Sequence, residues 1–327
     1  MYEVVVYEVL VEAVTPIAHH SETMGNHAVA VRRKVRQPDG AFVMVPVVSG
    51  DAMRHGMREA SAYAFLDAAG LLGAGELSEA ALRLLFTGGM VTGRGDASNI
   101  KLDDYRKMVE CVPPLALLGG CASNRVIPGR IVSEDLVLVC EETKPLVPSW
   151  MLERAGTLSG ARAHLETHQR VRMDATLDPG KVQLLSEGAR AYVEGRLLRS
   201  EDATIRDDIV GAEDAKTTMM PRTFEAITSG ALFSWRVQAT CLSELDVDTF
   251  HAMVGGFLSH ARVGGKRGTG FGMLRPVAAN RVTVHRPAEQ MQPVNATALG
   301  PRVGELFRSH VAARKEQIRD FLRAVDA

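Results

Sequence analysis

Residues 264–272 read Gly-Gly-Lys-Arg-Gly-Thr-Gly-Phe-Gly, with glycine at five of nine positions and two adjacent cations. Glycine enters the φ > 0 region freely and has no Cβ to hold a ligand away. Such a run can present backbone N–H groups to an anion at close range, with Lys266 and Arg267 adding positive charge. Between Ala261 and Arg286 stand six cations (Arg262, Lys266, Arg267, Arg275, Arg281, Arg286) and no Asp or Glu. The chain carries 38 Lys+Arg against 39 Asp+Glu, so this is a local cation field and not a general property. A basic surface loop without a ligand has the same composition. The spacing argues against the common mononucleotide loops. A Walker-type loop needs Gly, four residues, then Gly-Lys-Ser/Thr, but Lys266 is followed by Arg267 and position 260 is His260. A dinucleotide fingerprint on Gly268 and Gly270 would need glycine at 273, which is Met273. In the run from Gly88 to Gly93 the lysine and hydroxyl positions are Arg94 and Gly95. A loop lying along a polyanion is therefore preferred to one gripping a single nucleotide.

Two more segments share this chemistry. Residues 27–58 hold Arg32, Arg33, Lys34, Arg36, Arg54 and Arg58 against Asp39 and Asp51, a local excess of four positive charges. Strand alternation puts Arg32, Lys34 and Arg36 on one face, which is most often simply a solvated face. Arg54 and Arg58 are four apart near a helix start, where cations oppose the helix dipole; that position favours an anionic partner. Residues 118–125, Leu-Gly-Gly-Cys-Ala-Ser-Asn-Arg, form a second glycine-and-cation loop. His19, His20 and His27 with Glu22 are the candidates for proton transfer. A histidine pair on a loop more often hydrogen-bonds than catalyses. The four cysteines form no C-x-x-C pair, which argues against zinc or a disulfide scaffold and suits a reducing cytoplasm. Acidic runs at 134–142 and 199–214 read as surface or subunit contacts instead of a Mg²⁺ site. We expect no cofactor and no metal.

The elements follow from pattern. Residues 2–14 are Val- and Tyr-rich with apolar side chains on both faces, a strand central to a sheet. Glu3, Glu8 and Glu12 without a basic lead exclude a signal peptide there, and no apolar run reaches the ~20 residues that span a bilayer. Residues 27–36 and 41–48 form a hairpin about Pro38-Asp39-Gly40. Ser49 or Asp51 caps a helix whose Met53, Met57, Ala60 and Ala64 face the core. Residues 65–112 are mostly helical, residues 130–140 form a strand, and residues 150–217 are a charged insertion. A second hairpin is expected over 219–241, turning at Ser229-Gly230. Asp246 or Asp248 caps a helix with the stripe Val247, Phe250, Val254, Phe257 and Ala261, and this helix leads into the glycine loop. One amphipathic helix ends the chain. Without the insertions the order is strand, helix, strand, strand, helix, strand, an α+β arrangement of the ferredoxin or RRM-like type.

These residues resemble a known family. The first strand, the histidine loop ending at Gly25, the run Val47-Val48-Ser49-Gly50-Asp51-Ala52-Met53-Arg54-His55-Gly56-Met57-Arg58, the late hairpin and the 264–272 loop are together similar to the RAMP superfamily of CRISPR-associated proteins. The closer likeness is to the backbone (Cas-seven-like) subunit, and residues 118–131 point to the type IV version. The resemblance implies an antiparallel palm at 1–64, 118–149 and 218–327, the last part carrying the C-terminal helix. It implies a helical fingers insertion at 65–117 and a thumb at 150–217. It further implies a non-catalytic, cytoplasmic subunit that binds guide RNA (crRNA) and polymerises as a helical filament along it. The other partners would be effector subunits and a target paired to the guide. Carried over, Ser49, Arg54, His55 and Arg58 sit at guide phosphates. Asn124 and Arg125, and Gly264, Gly265, Lys266 and Arg267, line the same groove with Arg32 and Lys34. Lys216, Met219 and Arg222 lie at the thumb base. Type III relatives cut target RNA with an Asp after the first strand, whereas this chain has Glu22 and no Asp before Asp39. Aromatics are only 5% of residues and no basic segment carries a stacking pair, so phosphate contacts should dominate binding. The alternatives are a metal-independent endoribonuclease using His19 or His20, and a small-molecule enzyme holding phosphate in the glycine loop.

Overall fold

The Val-rich strand β1 (Glu3–Ala13) buries side chains on both faces: Val5, Val9 and Val11 on one, and Val6 and Leu10 on the other, are at most 2% exposed. A strand of that kind needs neighbours on both edges and cover on both faces. In the computed structural model, which describes residues 3–89, 98–99, 101–122, 125–173, 186–191, 219–285, 288–294 and 304–325, it has them. The main sheet is antiparallel throughout. Its order is β15 (Ala288–Val294), β14 (Leu274–His285), β1, β13 (Leu232–Cys241), β10 (Leu136–Leu138), β5 (Phe42–Val48), β4 (Arg32–Arg36), with β9 (Ile131–Ser133) also on β13. Val9 stands opposite Trp235 in β13 and Ala279 in β14.

Two helices cover one face. Helix α1 (Gly50–Ala69) starts at Ser49, whose side chain accepts from the Ala52 amide at 3.3 Å, and stops at Gly70 with φ 68°. Helix α6 (Glu244–Ser259) crosses it so closely that a Cβ on Gly56 would lie 2.4 Å from the Phe257 ring. Val5, Val9, Met53, Met57, Trp235, Phe250 and Phe257 form one core cluster there. The N-cap of α6 is Ser243, which accepts from the Asp246 amide at 3.1 Å, and not an aspartate as the sequence suggested. Asp246 instead meets Arg130 at 2.7 and 3.2 Å, and Asp248 accepts from the Phe307 amide at 2.8 Å in the first turn of α7 (Glu305–Ala312). On the sheet's other face Leu10, Val139, Val147 and Met151 pack together with α5 (Ser149–Ala155).

A second helical cluster joins Phe65 and Leu66 of α1 to α2 (Glu79–Thr87), α3 (Leu102–Cys111), α4 (Pro113–Leu118), α7 and α8 (Lys315–Ala324). The single C-terminal helix expected from the sequence is thus two, parted at Ala313 and Arg314. A small sheet runs β6 (Ser98–Asn99), β8 (Arg125–Ile127), β7 (Gly120–Ala122).

The chain divides into two compact units, Met1–Ser21, Ala30–Glu166 and Ala226–Ala327 in one and Glu22–Val29 and Thr167–Glu225 in the other. The second is built on a sheet of β11 (Leu165–Met173), β12 (Met219–Ile227), β3 (His27–Ala30) and β2 (His20–Met24). Strand β12 pairs with β3 in parallel, Phe224 opposite Ala28. The hairpin expected over 219–241 is therefore not formed, because β12 and β13 belong to different sheets. Gly230 does turn the chain at φ 79°. However, the Ile227 and Gly230 amides bond to Ile17 O and Ala13 O, so the 13–17 segment takes the pairing a hairpin would have used. Among the described residues no helix is long and apolar enough to cross a membrane, and no group of three His, Cys, Asp or Glu side chains is placed to hold a metal ion.

Candidate nucleic-acid interface

The glycine loop is shaped by close packing. Gly264 has φ 75°, and a Cβ there would lie 2.6 Å from Ala18 O; Gly272 has φ 82°, and its Cβ would lie 1.9 Å from Val263 O. The Gly265 amide donates to Ala18 O at 2.7 Å and the Gly272 amide to Pro16 O at 2.8 Å. The amides of Thr269, Gly270 and Phe271 donate within the loop, to Lys266 O, Arg267 O and Lys266 O. Much of the anion-facing backbone expected from the composition is thus already bonded. Lys266 sits at φ 60°, the one non-glycine residue with positive φ among those described. Arg267 reaches Glu59 of α1 at 3.1 Å and Gly264 O at 3.3 Å, fastening the loop to the helix.

The same segment, residues 16–19, holds the start of α1. His19 Nε2 accepts from the Ser49 amide at 3.1 Å, so the ring is neutral with its proton on Nδ1. Burial, then the charge of His20, push its pKa down. The next amide, Gly50, donates to Asp135 at 2.8 Å, and Arg33 holds the other carboxylate oxygen at 2.8 Å. The positive end of the helix dipole thus already has a carboxylate on it. His55 is exposed and stands one turn before Glu59 on the same face. Ser49 and the loop residues Gly264, Gly265, Lys266 and Arg267 are in this way gathered at residues 16–19 and the face of α1 that carries Glu59 and His55.

Arg54 and Arg58 are differently placed. Arg58 is 8% exposed, and its Nη2 donates to Gly119 O at 2.9 Å and Leu118 O at 3.3 Å. Arg54 donates to Ile131 O at 3.2 Å and also to Leu118 O. Burial first, then the neighbouring charge of Arg54, lower the Arg58 pKa to about 10, which leaves it protonated at neutral pH. In place of the anion expected from the sequence, they meet the partly negative carbonyl end of α4 within the same chain. A Cβ on Gly88 would lie 3.3 Å from the Arg58 guanidinium, and the Gly88 carbonyl accepts from the Cys121 amide at 2.7 Å. The glycine pairs 88–89 and 119–120 therefore cross closely beside the two arginines.

Arg125 pairs with Asp104 of α3 at 2.6 Å, in the helical part of the molecule. With Lys107 and residues of α8 the two line a cavity of about 240 Å³. Arg32 and Lys34 lie on the edge strand β4, and Arg222 is exposed on β12, which begins at Met219. Asn124 and Lys216 lie outside the described residues. His27 Nδ1 bonds Thr223 at 2.8 Å in the second unit. Sequence reasoning overlooked Glu59 and Asp135, counted Arg33 only as one cation among six, and passed over the exposed Phe42 and Met44 on β5. Counting outward from the Asp39-Gly40 turn would have placed Phe42 opposite Arg36.

No protein-family model matches the chain, and a search of curated proteins finds no relative. Among solved structures, a chain of a "Type IV-B CRISPR Complex" is similar at 15% identity and a TM-score of 0.48, over 89% of this chain and 96% of that one. Similarity of that degree leaves function to be argued from the residues themselves.

Proposed function

We propose that this chain is a non-catalytic, guide-RNA-binding backbone subunit of a multi-subunit type IV CRISPR effector complex. In this reading it works in the cytoplasm and polymerises helically along the guide, gripping its phosphates. Its partners are copies of itself, other effector subunits and the target paired to the guide. The observation that carries the reading is the joining of residues 16–19, 49–59 and 264–267 through the Gly265–Ala18, Ser49–His19 and Arg267–Glu59 contacts. Segments more than 200 residues apart are thereby joined, and we read Ser49, His55, Lys266 and Arg267 as one phosphate-binding surface. The strand order β14–β1–β13–β10, antiparallel between all neighbours, with α1 after β1 and α6 after β13, supports a ferredoxin-like palm. Residues 65–117 would be the fingers and 150–217 the thumb. Arg54 and Arg58 act by positioning Leu118, Gly119 and Ile131. Arg32, Lys34 and Arg125 extend the cationic surface, and Arg222 supplies a cation on the second unit.

Against the nuclease alternative at His19 stands its Nε2 lone pair, which accepts from the Ser49 amide. Co-expression with a guide RNA tests the proposal. The expected product is a particle that carries RNA and whose mass grows with guide length. An RNA-free monomer at low salt would reject it.

A further inference from the structure

The hairpin of β4 and β5 has one face in the core and, at its Phe42 end, the other in solvent; Pro46 at the far end of that outer face is buried. Val35 and Val45 point inward at 8% and 0% exposure. On the outer face Arg36 stands opposite Phe42, Lys34 opposite Met44 and Arg32 opposite Pro46, and directly opposed residues of an antiparallel pair share a face. Phe42 is 64% exposed and Met44 48%. Strand β10 pairs with β5 only at Val47 and Val48, so the Phe42 end of the hairpin runs on past that neighbour. Asp39 fixes the tip by accepting from the Ala41 amide at 2.9 Å.

Cations along an edge strand ordinarily guard against edge-to-edge pairing. That accounts for Arg32, Lys34 and Arg36, but not for two large apolar side chains left in water among them. Lys34 and Arg36 are two residues apart, roughly 7 Å along the strand, each with an apolar side chain directly across. An acidic peptide would answer the cations and leave Phe42 without a flat partner. A single-stranded nucleic acid answers both, with a phosphate at each step and a π-face on each base.

We propose that this hairpin face binds a single-stranded segment of nucleic acid, with a base stacked on Phe42 beside Met44 and with Lys34 and Arg36 on the flanking phosphates. The inference rests on the RNA-binding reading above and adds a base-contacting side chain to it. The test measures anisotropy of a labelled oligouridylate, and of an abasic phosphodiester strand of equal length, on the purified full-length chain. Phe42→Ala is expected to weaken oligouridylate binding roughly tenfold and to leave the abasic strand unaffected. Lys34→Gln with Arg36→Gln should weaken both and flatten the log–log salt slope by about 1.4. Phe42→Trp should keep the affinity, with its emission quenched by oligouridylate. If Phe42→Ala binds oligouridylate as tightly as the parent chain, the stacking inference fails while the RNA-binding reading stands. If the parent chain binds neither strand at low salt, that reading fails with it. Sedimentation without RNA covers the remaining occupant: an oligomer dissolved by Phe42→Ala would assign the face to a second copy and overturn the inference.

Discussion

Arg54 and Arg58 lie in the second and third turns of α1, beyond the first turn where the helix dipole acts, and burying Arg58 carries a desolvation cost. The cost is offset by the carbonyls of Leu118 and Gly119, which end α4 and would otherwise be left without donors. Arg58→Met keeps the volume and removes the donors, so it should cost about 3 kcal/mol in denaturant unfolding. Arg58→Lys should recover little, since an ammonium cannot reproduce the fork. A second buried group sets a pH dependence. His251 faces Tyr7 and Arg281, with Asp248 nearby, and arginine can only donate, so Nε2 accepts and Nδ1–H points to the Tyr7 hydroxyl. Burial, then the charge of Arg281, bring its pKa down to about 4, while burial pushes the Tyr7 hydroxyl up. A depressed histidine binds its proton in the unfolded chain first. Stability should therefore be full above the unfolded pKa of ~6.5 and fall on acidification towards pH 4, by on the order of 2–3 kcal/mol. Urea melts across that range should show the loss in the parent chain, and a much flatter profile in His251→Asn.

The glycine loop separates two reasons for a glycine to be where it is. Gly272 has positive φ and no room for a Cβ, whereas Gly268 has open space around it. Gly272→Ala should cost more than about 2 kcal/mol through strain and displacement of residues 263–265, visible as a lower melting temperature. Gly268→Ala should leave stability within about 0.5 kcal/mol. If Gly268→Ala nevertheless weakens RNA binding, the backbone there approaches the phosphates directly. The elements themselves were largely legible. The Asp39-Gly40 turn, the Ser49 cap and the Phe250, Val254 and Phe257 stripe each depend on neighbours a few residues away, and each stands where the sequence put it. What the sequence could not specify was the partner. Ser229-Gly230 marks a bend but not that β12 joins β3, and Arg54 and Arg58 ask for acceptors without saying that these are backbone carbonyls 60 residues on, at Leu118 and Gly119. The six cations of 261–286 looked like one field, yet Arg267 pairs with Glu59, Arg275 with Glu12 at 2.6 Å, and Arg281 lies against His251. Local composition counts charges; the fold decides which of them remain on the surface.

Across the whole molecule positive and negative charges nearly cancel, with a formal net charge of -1 and a pI of about 6.8. Attraction to a polyanion therefore has to come from where cations are placed and not from how many there are. Two triple variants separate these explanations. Lys34, Arg36 and Lys266 changed to Gln, or Arg106, Arg154 and Arg323 changed to Gln, each remove three cations and leave the same net charge. Arg106 and Arg323 belong to exposed i,i+3 ion pairs on α3 and α8, and Arg154 lies over Trp150 on α5. Exposed pairs of this kind hold little stability, so both triples should fold. If the phosphate chain runs along the β4 edge and the glycine loop, the first triple should lower the salt slope of RNA binding by about 2, near ~0.7 for each phosphate deprived of its cation. The second triple should leave the slope unchanged. Equal slopes for the two would mean that the chain meets RNA through its overall charge, and the separate positive surfaces would then have no common ligand.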